Sequence, residues 1–176
     1  EVRIVDPDTG AELDAGEVGE VLATAPYAFE HYHNRPEATE DTLEDGWVST
    51  GDIGRLDDDG YLYLLDRKHD VIVSGGLNVY SYTVENALTA HPDVDQAVVF
   101  GIPDETWGEA VHAVVVPASA SLTERELQRH VSEHLADYEQ PKSLSFVDSL
   151  PTTSHGKVDK AALRDPYWEG RDRSIN

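Results

Sequence analysis

Four features of this sequence could do chemistry because of their residue types and spacing. Asp52 offers a carboxylate in a Thr-Gly-Asp turn, and Arg67, fifteen positions later, offers a planar fork of hydrogen-bond donors. Gly75 and Gly76 form a loop without side chains, along which a thin substrate could pass close to the backbone. Lys157 follows a glycine and carries a flexible ammonium that could neutralise developing negative charge. Each also has a plain structural interpretation: a turn former, a surface salt bridge, a tight turn and a solvated lysine.

The composition restricts what these groups could bind. The chain has 176 residues and a formal net charge of −22, so nucleic acid and anionic membrane surfaces would be repelled. It has no cysteine, which excludes disulfides and thiol catalysis and fits a cytoplasmic protein. No apolar run approaches the ~20 residues that span a bilayer. Methionine is absent as well, and we therefore expect the sequence to be part of a longer protein.

Two features of the sequence bear on whether the chain binds phosphate groups or a metal ion. Six of the 13 lysines and arginines fall between Lys142 and Arg173, so cations are concentrated near the C-terminus of an acidic chain. Such a cluster suits phosphate groups, although it could equally decorate a helix. His31 and His33 form a His-x-His pair, but no third ligand lies nearby, so we predict no metal site there.

The chain before residues 66–70 is predicted to be rich in β-structure. An Asp-Gly turn at 57–60 joins the last two strands of this part as a hairpin. Pro36 marks the start of a short helix over 36–43, because proline is favoured in the first helical turn. The predicted strands are 2–5, 17–24, 47–49, 53–56 and 61–65.

After residues 66–70, strands and helices alternate. The predicted strands are 71–73, 94–101, 111–116 and 144–147, and the predicted helices are 82–90, one opened by a Thr123–Glu126 capping box, and 157–163. The helix after Thr123 carries an apolar stripe at helical spacing, formed by Leu127, Val131, Leu135 and Tyr138. The sequence therefore predicts an α+β fold.

Four motifs together resemble the adenylate-forming superfamily, which includes acyl-CoA synthetases, peptide-synthetase adenylation domains and luciferases. The motifs are Ser49-Thr-Gly-Asp-Ile-Gly-Arg, Leu65-Asp-Arg-Lys-His-Asp, Ser74-Gly-Gly-Leu-Asn-Val-Tyr and Pro151-Thr-Thr-Ser-His-Gly-Lys-Val. The resemblance covers essentially the whole chain. It implies that 1–66 is the β-rich, barrel-like end of a large N-terminal domain and that 67–165 is a small mobile C-terminal domain, with a mixed sheet flanked by helices. Residues 166–176 would be a tail similar to those of acyl-CoA ligases.

The resemblance also implies a role for each reactive group. Asp52 and Arg67 would bind the ribose hydroxyls of ATP, and Lys157 would be the catalytic lysine that reaches the active site during adenylation. His69, two residues after Arg67, would be the hinge, where relatives usually carry Lys or Asp. The implied CoA and pantetheine site consists of Gly75, Gly76, Trp107, Tyr138 and Lys142.

One departure from the family pattern concerns the acceptor. Glu139 and Gln140 stand where relatives usually supply cations for the CoA phosphates, and Lys142 alone retains charge there. This departure weakens the expectation of a CoA site and leaves the expectation of adenylation unchanged. Tyr138 also ends the apolar helix stripe, which offers a structural reason for its presence.

The implied activity is that of an ATP-dependent, AMP-forming acyl-CoA ligase, which activates a carboxylic acid to acyl-AMP and transfers the acyl group to CoA. The resemblance of the C-terminal tail to those of fatty-acyl ligases favours a fatty acid as the substrate. The family's phosphate loop, its Mg²⁺ ligands and its acyl pocket would lie outside this chain, in the N-terminal domain of the same parent. We therefore expect this chain alone to be inactive. Two alternatives are an adenylation enzyme that loads a carrier-protein thiol and a non-catalytic acidic interaction module.

Overall fold

The computed structural model describes residues 1–171 and divides the chain into two compact units, unit 1 (Glu1–His69) and unit 2, which begins at Asp70. Unit 1 contains β1 (Val2–Val5), β2 (Gly19–Ala23), α1 (Pro36–Thr42), β3 (Leu43–Glu44), β4 (Trp47–Leu56) and β5 (Leu62–Arg67). The strands form one antiparallel sheet in the order β1-β2-β4-β3, and β5 also pairs with β4. A short 3-10 turn, Lys68–Asp70, follows β5.

β4 is one continuous strand where the sequence predicted two strands separated by a turn. Gly51 lies inside it with φ +70°, a conformation that glycine adopts without steric cost. Gly51 accommodates an irregular backbone conformation inside the strand. β4 pairs with β3 before this glycine, with β5 after it and with β2 on both sides of it. The interpretation of Asp52 as part of a turn between two strands is therefore wrong; Asp52 lies within a strand. The turn at 57–60 is confirmed, with Gly60 at φ +83°.

Unit 2 is built on a five-stranded mixed sheet. Its elements are β6 (Ile72–Ser74), β7 (Leu77–Val79), α2 (Ser81–Thr89), β8 (Val94–Asp104), β9 (Gly108–Pro117), α3 (Glu124–Ser132), β10 (Ser143–Phe146), α4 (Lys160–Arg164) and a 3-10 turn (Asp165–Tyr167). The strand order is β10-β9-β6-β7, and β8 also pairs with β9. β10 runs parallel to β9 and the other pairs are antiparallel. The predicted α+β class is confirmed.

Apolar side chains cover both faces of this sheet, because successive apolar residues along β8 and β9 point to opposite faces. The larger cluster joins the sheet to α2 and α3, and its fully buried members include Ile72, Val79, Val84, Leu88, Val99, Val111, Val115 and Leu127. A smaller cluster consists of Val98, Phe100 and Val114, with Leu163 of α4 packed against it. α4 is therefore attached to the sheet through a different cluster from α2 and α3.

The capping box of α3 is confirmed, but the predicted length of the helix is wrong. The Thr123 hydroxyl accepts a hydrogen bond from the Glu126 N–H, and the Thr123 N–H donates to the Glu126 carboxylate at 2.9 Å. The helix ends at Ser132, so the last two members of the predicted stripe lie beyond it. Leu135 is still buried, whereas Tyr138 lies in a turn with 40% of its surface exposed. Apolar spacing therefore continued past the last residue of the helix.

Candidate functional site

Asp52 and Arg67 face each other across the β4–β5 ladder, where they are direct register partners. The Arg67 Nε donates to the Asp52 carboxylate at 2.9 Å, and the side chains are 58% and 22% exposed, respectively. An ion pair this accessible contributes about 0–1 kcal/mol to stability. The pair therefore has little structural value, and it leaves much of the guanidinium surface accessible to a ligand.

The boundary between the two units falls directly after His69, which is exposed. On the unit 1 side, the Lys68 ammonium donates to the Glu20 carboxylate at 2.8 Å. Glu20 is buried and also accepts a hydrogen bond from the Ser49 hydroxyl. Sequence reasoning did not find Glu20; its only signal is a carboxylate in the middle of an otherwise apolar strand.

Gly75 and Gly76 form the two-residue loop of a β6–β7 hairpin. Their φ angles are +61° and +81°, as a type I′ turn requires at both central residues. The Gly75 N–H donates to the Trp107 carbonyl at 2.8 Å. A Cβ on Gly75 would lie 2.7 Å from Cε3 of Trp107, whereas a Cβ on Gly76 would meet nothing within 4 Å. The structure therefore brings this predicted glycine pair and Trp107 together, with the ring packed against Gly75.

Trp107 is held in place by the turn between β8 and β9. The Asp104 carboxylate accepts the N–H groups of Thr106 and Trp107 at 2.8 and 2.9 Å. The next residue, Gly108, pairs with the last residue of β6. Half of the Trp107 side chain is exposed, so the ring offers a flat apolar surface beside the glycine loop.

Tyr138 and Lys142 lie in the turn that follows α3. The Lys142 ammonium donates to a carbonyl of this turn, that of Asp137, at 3.0 Å. The two residues that depart from the family pattern also close the turn: the Glu139 carboxylate accepts a backbone N–H at 2.9 Å, and the Gln140 amide donates to a carbonyl at 3.3 Å. Both departures therefore have a structural explanation.

Lys157 is exposed at the end of a tight turn. The Thr153 N–H donates to the Lys157 carbonyl at 2.7 Å, and Gly156 has φ +78°. The predicted helix over 157–163 starts three residues late, at Lys160, because Asp159 caps it: its carboxylate accepts the N–H of Ala162 at 3.1 Å. The Lys157 ammonium is thus presented from a turn that leads directly into α4.

A polar network that the sequence did not reveal connects α4 to α2. The Lys160 ammonium lies 2.8 Å from the Ser81 hydroxyl and 3.2 Å from the Glu85 carboxylate. The same oxygen of Glu85 accepts the Val99 N–H at 2.9 Å. At the other end of α4, the Arg164 guanidinium binds the Asp70 carboxylate at 3.0 Å.

His112 lies in the centre of β9 and is buried. Its Nδ1 is 2.6 Å from the Ser143 hydroxyl, and its Nε2 is 3.3 Å from the Tyr167 hydroxyl. Burial lowers the pKa of His112 below its ordinary value. The Trp168 indole N–H donates to the Gly101 carbonyl at 3.0 Å, so the segment after α4 is attached to the sheet.

Within residues 1–171, no group of three or more His, Asp or Glu side chains has a geometry that could hold a metal ion. No helix of this part of the chain is long and apolar enough to cross a membrane.

Comparison with known proteins identifies the family. Residues 83–157 match the AMP-binding enzyme C-terminal domain. The chain is 43% identical to the medium/long-chain-fatty-acid–CoA ligase FadD8 of Mycobacterium tuberculosis, over 99% of this chain and 32% of that protein. The chain belongs to the adenylate-forming superfamily.

A second relative is named for a different acceptor, and a solved structure has the same fold. The chain is 42% identical to the fatty acid–[acyl-carrier-protein] ligase ScoC of Streptomyces coeruleorubidus, over 99% of this chain and 34% of that protein. ATP-bound MatB from Rhodopseudomonas palustris superposes with a TM-score of 0.89 at 36% identity, over 99% of this chain and 34% of that one. The chain thus spans about a third of the length of the relatives that it matches.

Proposed function

We propose that this chain is the C-terminal part of an AMP-forming acyl-CoA ligase that activates a fatty acid. The carboxylate would attack the α-phosphate of ATP, forming acyl-AMP and releasing pyrophosphate. The CoA thiolate would then attack the acyl carbon, forming the thioester and releasing AMP. The observation that carries the proposal is that one folded unit presents both an exposed lysine turn, at Lys157, and a glycine loop packed on an aromatic ring, at Gly75 and Trp107.

The adenylation step would use groups from both units. Asp52 accepts hydrogen bonds from the ribose hydroxyls and Arg67 donates to the same sugar, since their ion pair is accessible and of little structural value. Lys157 neutralises negative charge that builds on the substrate carboxylate and the α-phosphate. An ammonium on an exposed turn suits this role because it can be brought to the reacting atoms and withdrawn again.

The thiol step would use the glycine loop. Gly75 and Gly76 present only backbone, so a pantetheine arm can lie directly against them, and the exposed half of Trp107 covers one side of that path. Tyr138 would stack on the adenine of CoA and Lys142 would face its phosphates. A rotation at His69 would exchange the Lys157 turn for the glycine loop at the active site.

A carrier-protein thiol is the second candidate acceptor, and two observations favour it. Glu139 and Gln140 close a turn where cations would otherwise bind the CoA phosphates, and the Lys142 ammonium already donates to a carbonyl. ScoC, which shares 42% identity with this chain, is named as a carrier-protein ligase. A carrier delivers the same pantetheine arm without the nucleotide, so the glycine loop would serve both acceptors.

Several parts of the proposed enzyme would lie outside this chain. The N-terminal domain of the same parent would supply the acyl pocket, the phosphate loop and the ligands for Mg²⁺, so the 176-residue chain alone would be inactive. Magnesium, held by residues outside this chain, would neutralise negative charge on the phosphates of ATP. A cytoplasmic location stays a prediction.

The test is a product analysis with the full-length parent enzyme. The enzyme is incubated with ATP and a panel of carboxylic acids that includes fatty acids of several lengths, with CoA, with a pantetheinylated carrier protein, or with neither. Mass spectrometry then identifies the products. Acyl-CoA together with AMP supports the ligase, and acyl-AMP that is transferred to the carrier alone supports the second candidate. Absence of any adenylate would contradict both and would favour a non-catalytic interaction module.

A further inference from the structure

α4 is too short to be stable by itself. It has five residues, Lys160–Arg164, whereas isolated helices below about 12 residues are marginal in water. Its position must therefore be fixed by contacts with the rest of unit 2. Lys157 precedes the helix by three residues, and its turn is closed by backbone hydrogen bonds to the segment before it. A shift of α4 would therefore displace the turn that carries the Lys157 ammonium.

The C-terminal end of α4 is tied to the start of unit 2. The Arg164 Nη1 lies 3.0 Å from the Asp70 carboxylate, and the two side chains are only 19% and 17% exposed. A charge-assisted pair with so little solvent access is directional and weakly screened by salt. Asp70 directly follows His69, so the contact connects the residue after the proposed hinge with the helix that follows the catalytic lysine.

The N-terminal end of α4 is tied to α2. The Lys160 ammonium lies 2.8 Å from the hydroxyl of Ser81, the first residue of α2, and 3.2 Å from the Glu85 carboxylate one turn later. Glu85 is itself oriented by the Val99 N–H. α2 follows the glycine loop through the short strand β7. This contact therefore links the helix that follows Lys157 to the helix that follows the glycine loop.

α4 also makes an apolar contact with the sheet. Leu163 packs against the cluster formed by Val98, Phe100 and Val114. Apolar contact favours burial without specifying a direction, so it holds the helix on the sheet and leaves its rotation and sliding to the polar contacts. The two ion pairs at opposite ends supply that direction.

We infer that Arg164 and Lys160 are positioning residues for the adenylation step: they fix the Lys157 turn relative to Asp70 and to α2. This inference rests on the proposed function of Lys157. Neither residue needs to touch the substrate. With both ion pairs formed, rotation of unit 2 would bring Lys157 to one defined position. Without them, the Lys157 ammonium would occupy many positions.

The test separates the two half-reactions in the full-length enzyme. Acyl-AMP formation is followed by ATP–pyrophosphate exchange, and thioester formation is followed from supplied acyl-AMP. Arg164→Met is expected to lower kcat of acyl-AMP formation about 10-fold or more, because displacement of a catalytic group by about 1 Å can cost up to 100-fold. The KM for ATP and the rate of thioester formation should stay within about 2-fold. Lys160→Met should act in the same direction.

Two further variants address the case in which Arg164→Met disturbs folding. Asp70→Asn removes the same ion pair from its other end and leaves α4 unchanged, and Arg164→Lys retains the charge and should recover part of the rate. If the pair acts as a unit, Asp70→Asn combined with Arg164→Met should be no slower than either single variant. Arg125→Met, an exposed arginine on α3, serves as the matched control and should leave both half-reactions unchanged.

The outcomes distinguish this inference from the proposed function. Loss of acyl-AMP formation in Lys157→Ala, together with unchanged rates in Arg164→Met and Asp70→Asn, would overturn the inference alone. Unchanged acyl-AMP formation in Lys157→Ala would overturn the proposed function and the inference with it. An equal loss in both half-reactions for Arg164→Met would indicate a general structural role and would also overturn the inference.

Discussion

The two units of this chain differ most in how much apolar surface they bury. Among the described residues, the buried apolar side chains of unit 1 are Ile4, Val5, Val21 and Ile53, and all the others belong to unit 2. In unit 1, β5 instead exposes apolar residues: Leu62 is 39% and Leu64 is 53% exposed. Unit 2 therefore buries a larger apolar core than unit 1, which exposes apolar side chains along β5.

This difference bears on how each unit positions its reactive groups. In unit 1, Asp52 and Arg67 are placed by strand register and face each other. In unit 2, the Gly75–Gly76 loop follows β6 and the Lys157 turn precedes α4, so the two groups belong to different elements. We therefore expect substitutions in unit 1 to affect nucleotide binding in both half-reactions. Substitutions in unit 2 should affect one half-reaction and spare the other.

The largest expected effect concerns Lys157. Lys157→Ala should lower the rate of acyl-AMP formation about 100- to 1,000-fold, because it removes a preorganised charge from the transition state. Thioester formation from supplied acyl-AMP should stay within about 3-fold of the wild-type rate. His155→Ala, in the same exposed turn, is the matched control and should leave both rates unchanged. A comparable loss in both half-reactions would contradict the proposal that Lys157 acts in acyl-AMP formation and the glycine loop acts in thioester formation.

The next largest effect is expected in unit 1. Asp52→Asn or Arg67→Lys should raise the KM for ATP about 10-fold or more, since a hydrogen bond to a charged group contributes about 1.5–3 kcal/mol. Because the ribose is present in both ATP and acyl-AMP, the dissociation constant for acyl-AMP should rise in parallel. Isothermal titration with a non-hydrolysable acyl-AMP analogue measures the second quantity.

A control for this prediction lies on the same hairpin. The Arg55 guanidinium stacks over the Tyr63 ring, 4.7 Å from its centroid, on the same pair of strands. Arg55→Lys alters the hairpin without changing the Asp52–Arg67 pair, so the KM for ATP should stay within about 2-fold. If Arg55→Lys and Arg67→Lys had equal effects, the change at Arg67 would reflect the strand pair rather than the nucleotide.

Local chemistry made part of this structure predictable. The Thr123–Glu126 capping box and the turn at 57–60 each depend on residues within four positions of one another, and both are confirmed. The short strand β7 was missed, because three residues are too few to show a period. The end of α3 was misplaced for the opposite reason, since apolar spacing continued to Tyr138 although the helix ends at Ser132.

The contacts that hold the candidate site together were not predictable from local patterns. Lys160 meets Ser81 from 79 positions away, and Arg164 meets Asp70 from 94 positions away. The local sequence around a lysine or arginine on a short helix does not identify its ion-pair partner. The partner becomes known only when the fold shows which elements lie next to each other. Motif spacing therefore predicts the reactive residues, and only the fold shows which side chains contact the helix that follows Lys157.

A smaller effect should separate two adjacent glycines of unit 2. Gly75→Ala and Gly76→Ala both place a side chain at positive φ, which costs about 1–2 kcal/mol in each case. Only Gly75→Ala also drives a Cβ to 2.7 Å from Trp107. We expect thioester formation to be about 10-fold slower in Gly75→Ala than in Gly76→Ala, because the displaced ring narrows the path of the pantetheine arm. Acyl-AMP formation should be the same in both variants.

The position of the ring can be measured independently of the rates. The indole N–H resonance of Trp107 should shift in Gly75→Ala and stay in place in Gly76→Ala. Equal rates of thioester formation in the two variants, with the Trp107 resonance shifted in only one, would mean that the ring does not line the path of the thiol. That result would leave the glycine loop without its aromatic partner in the proposed site.

The smallest expected effect is a pH dependence of the stability of unit 2, and it originates in the buried His112. Burial lowers the pKa of His112 in the folded protein, so the unfolded chain binds the proton at a higher pH than the folded one. The free energy of unfolding therefore rises with pH between the lowered pKa and the ordinary value of about 6.5. The contribution is complete above that value and is lost progressively as the pH falls below it.

His112→Gln removes this titration and keeps a polar side chain beside the Ser143 hydroxyl, which lies 2.6 Å from Nδ1 in the native protein. Urea unfolding of the chain, followed between about pH 7.5 and 5.5 in the range where histidine titrates, should show a steeper loss of stability for the wild type than for His112→Gln. The seven other histidines are common to both proteins, so the difference between the two curves isolates His112. His155→Gln changes an exposed histidine of the same unit and should retain the wild-type slope. Parallel curves for wild type and His112→Gln would mean that β9 admits water to this imidazole, and that the core of unit 2 is less closed than its burial indicates.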